Sequence, residues 1–209
     1  MTKLLFIKAS PRDEASRSIA VAKTYLDALK AGHPNLEIDA IDLWKADLPE
    51  FDGDKNTAKL TVFGGGAPDG AIQTAWEDIV AIANRFIRAD RYLFAVPMWN
   101  GGIPYKLKQY IDLIHQPGLT FSFDPKSGYS GLLKNKRATI VYTSGAFSRA
   151  FPSPAFGVDH QSTYLRAWLA EAGVTDVEEI RFQPTILTAD SDGDFAKAKL
   201  AAAEAGAAA

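Results

Sequence analysis

The sequence predicts a doubly wound α/β architecture, five parallel strands in the order 2-1-3-4-5 with helices packed on both faces. Three observations carry that expectation. Short apolar runs alternate along the chain with stretches of helical period, the pattern of repeated β/α units. The run Leu4-Leu5-Phe6-Ile7 lacks the polar alternation of a half-exposed strand, as expected in a sheet covered on both faces. Several runs also open at their carboxyl ends into loops rich in serine, glycine, asparagine or proline. At 209 residues the chain can bury one full core, and a single domain over residues 1–209 is expected.

A helix follows the first strand, with Ile19, Ala22, Tyr25, Leu26 and Leu29 on one face and Ser16 placed as N-cap. After the turn Gly32-His33-Pro34-Asn35, residues 37–44 alternate and form the second strand; strand, helix and strand in succession imply a parallel pair with a right-handed crossover. Residues 45–70, with Pro49, Gly53 and Gly64-Gly65-Gly66, are expected to be a long loop with at most a short helix over 57–63. Ile72, Trp76, Ile79, Ile82, Ala83 and Phe86 mark a helix over 71–88, and residues 91–97 are the third strand. The next helix covers 105–115, with Pro104 suited to its first turn because the missing N–H would be unpaired there. Residues 118–133 suggest a hairpin-like excursion, and 137–143 the fourth strand. A helix over 160–172 presents Tyr164, Leu165, Trp168 and Leu169 and stops at Gly173; 177–182 is the fifth strand. The Ala-rich segment 194–205 is the last helix, followed by a tail, 206–209, expected to fray.

Composition narrows the chemistry. With 23 Lys and Arg against 25 Asp and Glu, the net charge of −2 provides no basic field, so neither nucleic acid nor an acidic membrane is an expected partner. Zero cysteines exclude disulfides, thiolate nucleophiles and Cys-ligated metals. The start of the chain does not read as a signal peptide and no apolar run is long enough to span a bilayer, which points to the cytoplasm. His33 lies in a turn, His115 ends a predicted helix where the dipole favours a cation, and His160 stands near a helix start as a candidate pocket residue. No spacing matches a metal site, and Asp190-Ser191-Asp192-Gly193-Asp194 lacks the distal Glu of a calcium loop, so a solvated turn is expected.

Ser10, Ser16 and Ser18, with Arg12 and Arg17, stand between the first strand and the first helix. Unpaired N–H groups and the partial positive charge of a helix start hold an anion there, although a plain Ser-capped helix would carry the same residues. In a 2-1-3-4-5 sheet the loops after strands one, three and four meet at the switch point: Ser10 to Ser18, Pro97 to Gly102, and Ser144 to Ser148. The chain has neither a Gly-rich dinucleotide fingerprint nor a P-loop, so hydroxyls would receive the phosphate. A mononucleotide with one phosphate end, FMN, suits such a site best.

Ser10-x-Arg12 with Ser16-Arg17-Ser18, Pro97-Met98-Trp99-Asn100-Gly101 followed by Ile103-Pro104 and Leu107-Lys108, and Gly118-Leu119-Thr120-Phe121 resemble the flavodoxin-like family of FMN-dependent NADH-azoreductases and NAD(P)H:quinone oxidoreductases, over nearly the whole chain. The resemblance implies a flavodoxin-like fold. It implies FMN with its phosphate on Ser10, Arg12, Ser16, Arg17 and Ser18, and its ring and ribityl along Pro97, Met98, Trp99, Asn100 and Gly101. Ser144, Gly145, Ala146 and Phe147 would border the polar edge of the ring, where family members often carry Arg-Gly-Gly; the phenyl of Phe147 is expected to reshape the substrate pocket. The implied activity is that of an oxidoreductase with no catalytic side chain: hydride passes from NADH or NADPH to flavin N5 and on to a quinone or an aromatic azo compound by ping-pong exchange. The family is homodimeric with sites at the interface. Trp99 is a candidate ring wall, and Phe121 and Phe123 a candidate aromatic platform against a flat substrate. The alternative is a flavodoxin-like electron carrier, disfavoured by the charge of −2 because a carrier needs a strongly charged docking face.

Overall fold

The computed structural model describes residues 2–209. In chain order the elements are β1 (Lys3–Lys8), one 3-10 turn (Asp13–Ala15), α1 (Arg17–Gly32), β2 (Glu37–Asp42), α2 (Gly53–Phe63), α3 (Gly70–Ile87), β3 (Arg91–Pro97), α4 (Tyr105–Ile114), β4 (Phe121–Asp124), β5 (Gly128–Gly131), β6 (Arg137–Thr143), α5 (His160–Ala172), β7 (Asp176–Phe182) and α6 (Ser191–Ala208). The main sheet is parallel throughout, with order β2-β1-β3-β6-β7, the predicted 2-1-3-4-5 once the β4–β5 hairpin is set aside.

The apolar runs lack alternation because both faces of each central strand are covered. Leu5 and Ile7 join Phe94, Val96, Ile140 and Tyr142 under α3, α4 and α5, through residues such as Phe86, Leu107, Ile111 and Trp168. Leu4 and Phe6 join Leu93, Ala95 and Val141 on the other face, under Tyr25 and Leu29 of α1 and Ala198 and Ala202 of α6. Successive side chains of a strand point to opposite faces, so a strand covered twice must be apolar at every position.

Some expectations change. The stretch 45–70 is not one long loop: Asp52 caps α2, its side chain accepting from Lys55 N–H, and the helix runs from residue 53 to 63. Pro104 is the N-cap residue of α4 with extended ψ of 142°, just outside the first turn. The tail does not fray. α6 continues to Ala208 because Gly206 lets it lie directly on α1; a Cβ there would stand 2.3 Å from Tyr25 O. Asp190, expected in a solvated turn, caps the start of that helix by accepting from Gly193 N–H. β4 and β5 pair antiparallel as anticipated and are seated on the end of α5, where Leu133 N–H donates to Ala172 O and a Cβ on Gly131 would meet Gly173 N at 2.2 Å.

Candidate functional site

The cradle begins where β1 stops. Ala9 N–H still donates to Ala95 O of the neighbouring strand, and the chain then leaves the sheet at Ser10. The 3-10 turn brings it back to Ser16, whose Oγ accepts from Ile19 N–H at 3.3 Å and starts α1. Ser16 Oγ lies 3.1 Å from Ser18 Oγ, and Ser10, Ser16 and Ser18 are all buried. Helical geometry leaves the first N–H groups of α1 without intrahelical acceptors, pointing past these hydroxyls.

The loops expected at the switch point meet here. A cavity of about 210 Å³ is lined by Ser10, Arg12, Ser16 and Arg17 from the first loop, Pro97 and Met98 from the second, and Thr143, Ser144 and Gly145 from the third. Thr185 and Ile186 complete it, and sequence reasoning missed both. Thr185 N–H donates to Ser144 O and Ile186 N–H to Gly145 O, lacing the loop after β7 to the loop after β6. A signal was available: a hydroxyl three residues beyond a strand's carboxyl end, on the same sheet edge, is placed to face a ligand bound there.

The lining holds two arginines and no carboxylate. The nearest acid on the first loop, Asp13, is occupied by Lys45, which donates to Oδ2 at 2.6 Å and holds that carboxyl below its ordinary pKa. An anion in the cavity therefore faces guanidinium groups, hydroxyls and N–H donors, with no uncompensated negative charge among its lining residues.

The second loop is a tight reversal. Trp99 and Gly102 exchange both backbone hydrogen bonds at 2.9 Å, and Asn100 and Gly101 between them have φ of 49° and 83°. Two successive positive φ values define a type I′ turn, for which Asn-Gly is the favoured pair. That accounts for the Asn100-Gly101 pair. Met98 N–H donates to Thr143 O and His160 N–H to Gly101 O, which tie the turn to β6 and to the start of α5. The Trp99 ring rests on Trp44 and Tyr105, with centroids 5.3 and 6.1 Å away. Trp44 is fixed in turn by its indole N–H donating to Ala9 O. Beyond the turn, Gly102, Ile103, Lys108, His160, Thr163 and Tyr164 line an open, mostly apolar groove, so His160 is a pocket residue as expected.

In the third loop, Ser144 Oγ donates to Phe147 O at 2.5 Å. Gly145 is covered by Ile186, Ala146 is exposed and Phe147 is buried. The Phe147 phenyl lies toward Gly157, where a Cβ would stand 3.6 Å from its Cδ2, so it packs under the 151–157 segment instead of lining the cavity. The loop is anchored from below. Arg149 donates to Ser162 Oγ and pairs with Asp159, the cap of α5. Burial opposes ionisation of Asp159, but its bonds from Ser162 and the charge of Arg181 hold its pKa below the usual carboxylate value.

Phe121 and Phe123 are not brought to this edge within one chain. They sit on the hairpin before β6, at the opposite end of the sheet, where α4 ends. Phe121 is buried against His115, and Phe123 is exposed and stacked on Phe63. His115 departs from its expected role as a cation on a helix end. It is wedged between Thr120 Oγ1 at 3.1 Å and Glu171 Oε1 at 2.9 Å, and burial pushes its pKa down despite the carboxylate.

Among the described residues no helix is long and apolar enough to cross a membrane. A family model described as a flavodoxin-like fold matches residues 2–205. The chain is 50% identical over 198 residues to an FMN-dependent NADH:quinone oxidoreductase of Ruegeria pomeroyi, covering 95% of this chain and 97% of the relative. A protein of the same name from Desulfotalea psychrophila is 42% identical over 203 residues, 97% of this chain and 95% of the relative. Among solved structures, an azoreductase from Bacillus anthracis strain Sterne superposes with a TM-score of 0.89 at 26% identity, covering 100% of both chains. An FMN-dependent NADH-azoreductase from the Ames Ancestor strain, in complex with FMN, gives 0.86 at 28% identity over 99% of each chain.

Proposed function

The chain belongs to the flavodoxin-like family that includes the FMN-dependent NADH:quinone oxidoreductases, and on that premise we propose that it is an FMN-dependent oxidoreductase. NADH is its electron donor, and quinones or aromatic azo compounds are its acceptors. The observation that carries this reading is the cradle at the start of α1, where the buried hydroxyls of Ser10 and Ser16 line the cavity with Ser18 directly behind Ser16, flanked by Arg12 and Arg17 and free of carboxylates. Its chemistry fits a phosphate monoester: oxygen acceptors meet neutral donors first and guanidinium charges second. When bound, FMN supplies a ring that accepts hydride from the reduced nicotinamide and returns it to the acceptor. The protein supplies position. The cradle fixes the phosphate, the rigid I′ turn at Asn100-Gly101 presents backbone and the Trp99 ring beside the same edge, and the laced loops at Gly145 and Ile186 close the other side.

With one edge to serve both substrates, we propose ping-pong exchange by a homodimer. The dimer reading rests on an exposed aromatic ladder on the hairpin and α2, in which Phe123 stacks on Phe63 at 5.4 Å and meets Tyr129, tilted, at 4.9 Å. A second copy would cover it and bring the exposed Phe123 to the neighbouring flavin site, with Phe121 buried behind it in its own chain. Single-domain organisation and the cytoplasm belong to the same proposal. Anaerobic titration of the FMN-loaded protein with NADH, followed by initial rates against a quinone, tests it. Bleaching of the flavin and parallel double-reciprocal lines are expected; a flavin that NADH leaves oxidised would return the reading to an electron carrier.

A further inference from the structure

Arg17 is the first residue of α1 and one of the two cations lining the phosphate cavity, yet the groups that hold it lie on α6. Its guanidinium sits over the ring of Phe195, with Cζ 4.3 Å from the centroid. Phe195 is itself fixed, stacked at 5.4 Å and 28° on Phe182, the buried last residue of β7. The carboxylate nearest to Arg17 belongs to Asp192, at 3.6 Å; that is beyond hydrogen-bond reach, and Asp192 is 92% exposed, so water and salt screen the pair.

A guanidinium held by its face on an aromatic ring keeps its N–H donors free in the ring plane, where a planar fork meets phosphate oxygens. An arginine without such a platform must lose its side-chain rotamer entropy when the ligand arrives. Phe195 does not line the cavity; it meets the lining through Arg17, whose guanidinium it carries. Lys199 approaches the same ring at 5.1 Å and likewise stands outside the lining.

We infer that Phe195 is a positioning residue for the cofactor phosphate, pre-orienting Arg17 from the C-terminal helix. This rests on the FMN reading. It gives α6, which contributes no lining residue, a part in flavin retention beyond packing on α1.

The test is titration of apoprotein with FMN and with riboflavin, which lacks the phosphate, followed by flavin fluorescence. Arg17→Ala is expected to weaken FMN by about tenfold or more, and Phe195→Leu by about 3- to 10-fold, with riboflavin affinity unchanged in both. The double variant should bind FMN no more weakly than Arg17→Ala, because the two residues act as one unit. Phe195→Tyr, which keeps the aromatic face, should match the wild type. Phe195→Met, apolar and of similar bulk without that face, repeats the measurement if the Leu variant does not fold. Additive losses, an equal loss for riboflavin, or unaltered FMN affinity in Phe195→Leu and Phe195→Met would overturn the inference. A wild type that binds FMN no tighter than riboflavin would instead overturn the phosphate site itself.

Discussion

Ser16 and Ser18 are two residues apart, buried to the same degree, and predicted to behave differently when replaced. Ser16 Oγ caps α1 through Ile19 N–H, whereas Ser18 Oγ has Ser16 Oγ as its partner at 3.1 Å. Ser18→Ala leaves the cap in place and removes one hydroxyl–hydroxyl bond, a stability loss of about 1 kcal/mol. Ser16→Ala removes that bond and the cap together; caps contribute about 1 kcal/mol, so this variant should lose about 2 kcal/mol. On a chain of 209 residues those losses lower Tm by about 2–4 °C and about 4–8 °C. Ser16 lines the cavity and Ser18 Oγ stands 3.1 Å behind it; if both hydroxyls turn to a bound phosphate, each is a charge-assisted donor contributing about 1.5–3 kcal/mol, or roughly 10- to 150-fold in Kd. Ser18→Ala should therefore weaken FMN by more than tenfold while barely moving the melting curve of the apoprotein. Flavin fluorescence on the apoprotein and calorimetry without ligand separate the two quantities. If Ser18→Ala retains FMN with wild-type affinity, or if its affinity loss merely tracks its loss of stability, the hydroxyls are helix capping and nothing more.

Three further outcomes are expected. Gly206→Ala places a Cβ 2.3 Å from Tyr25 O and must push α6 away from α1; overpacking of this kind costs about 1–3 kcal/mol and should lower Tm by several degrees. His115 has a pKa held down by burial, so the unfolded chain binds its proton first and stability falls as pH drops through about 6.5, levelling off below the folded pKa. Chemical denaturation at about pH 7.5 and about pH 5.5 should show the wild type losing more stability than His115→Gln across that window; equal losses would remove His115 as the cause. Phe123→Ala should raise KM for the quinone while leaving the Kd for FMN unchanged, as expected of an exposed ring that reaches substrate only from a second copy. An unchanged KM would leave the aromatic ladder with a packing role.

How much of this was legible in the sequence depends on how local each signal is. Strand β3 and helix α5 matched to the residue, since an apolar run flanked by turn residues and a helical stripe ending at Gly173 are encoded within a single window. The Asn100-Gly101 turn is local too, and its φ values are the ones that pair favours. The misses share a different cause. Gly206 reads locally as the start of a fraying tail and becomes helix only because α1, far away in sequence, offers Tyr25 O at a distance no side chain could tolerate. Thr185 and Ile186 join the cavity through backbone bonds to Ser144 and Gly145, a pairing invisible until β6 and β7 are neighbours. His115 looks like a helix-end cation until the hairpin and α5 close over it and desolvation outweighs Glu171. The same division runs through the site. The serines, the Pro97-to-Gly101 turn and Ser144 form a motif that a reader finds along the chain, while the groups that hold them in register from outside the cavity, Trp44, Arg149 and Phe195, come from three different loops or helices. Substitutions in the motif should therefore change ligand affinity directly, and substitutions in the supporting groups should change it only through the motif residue each one touches.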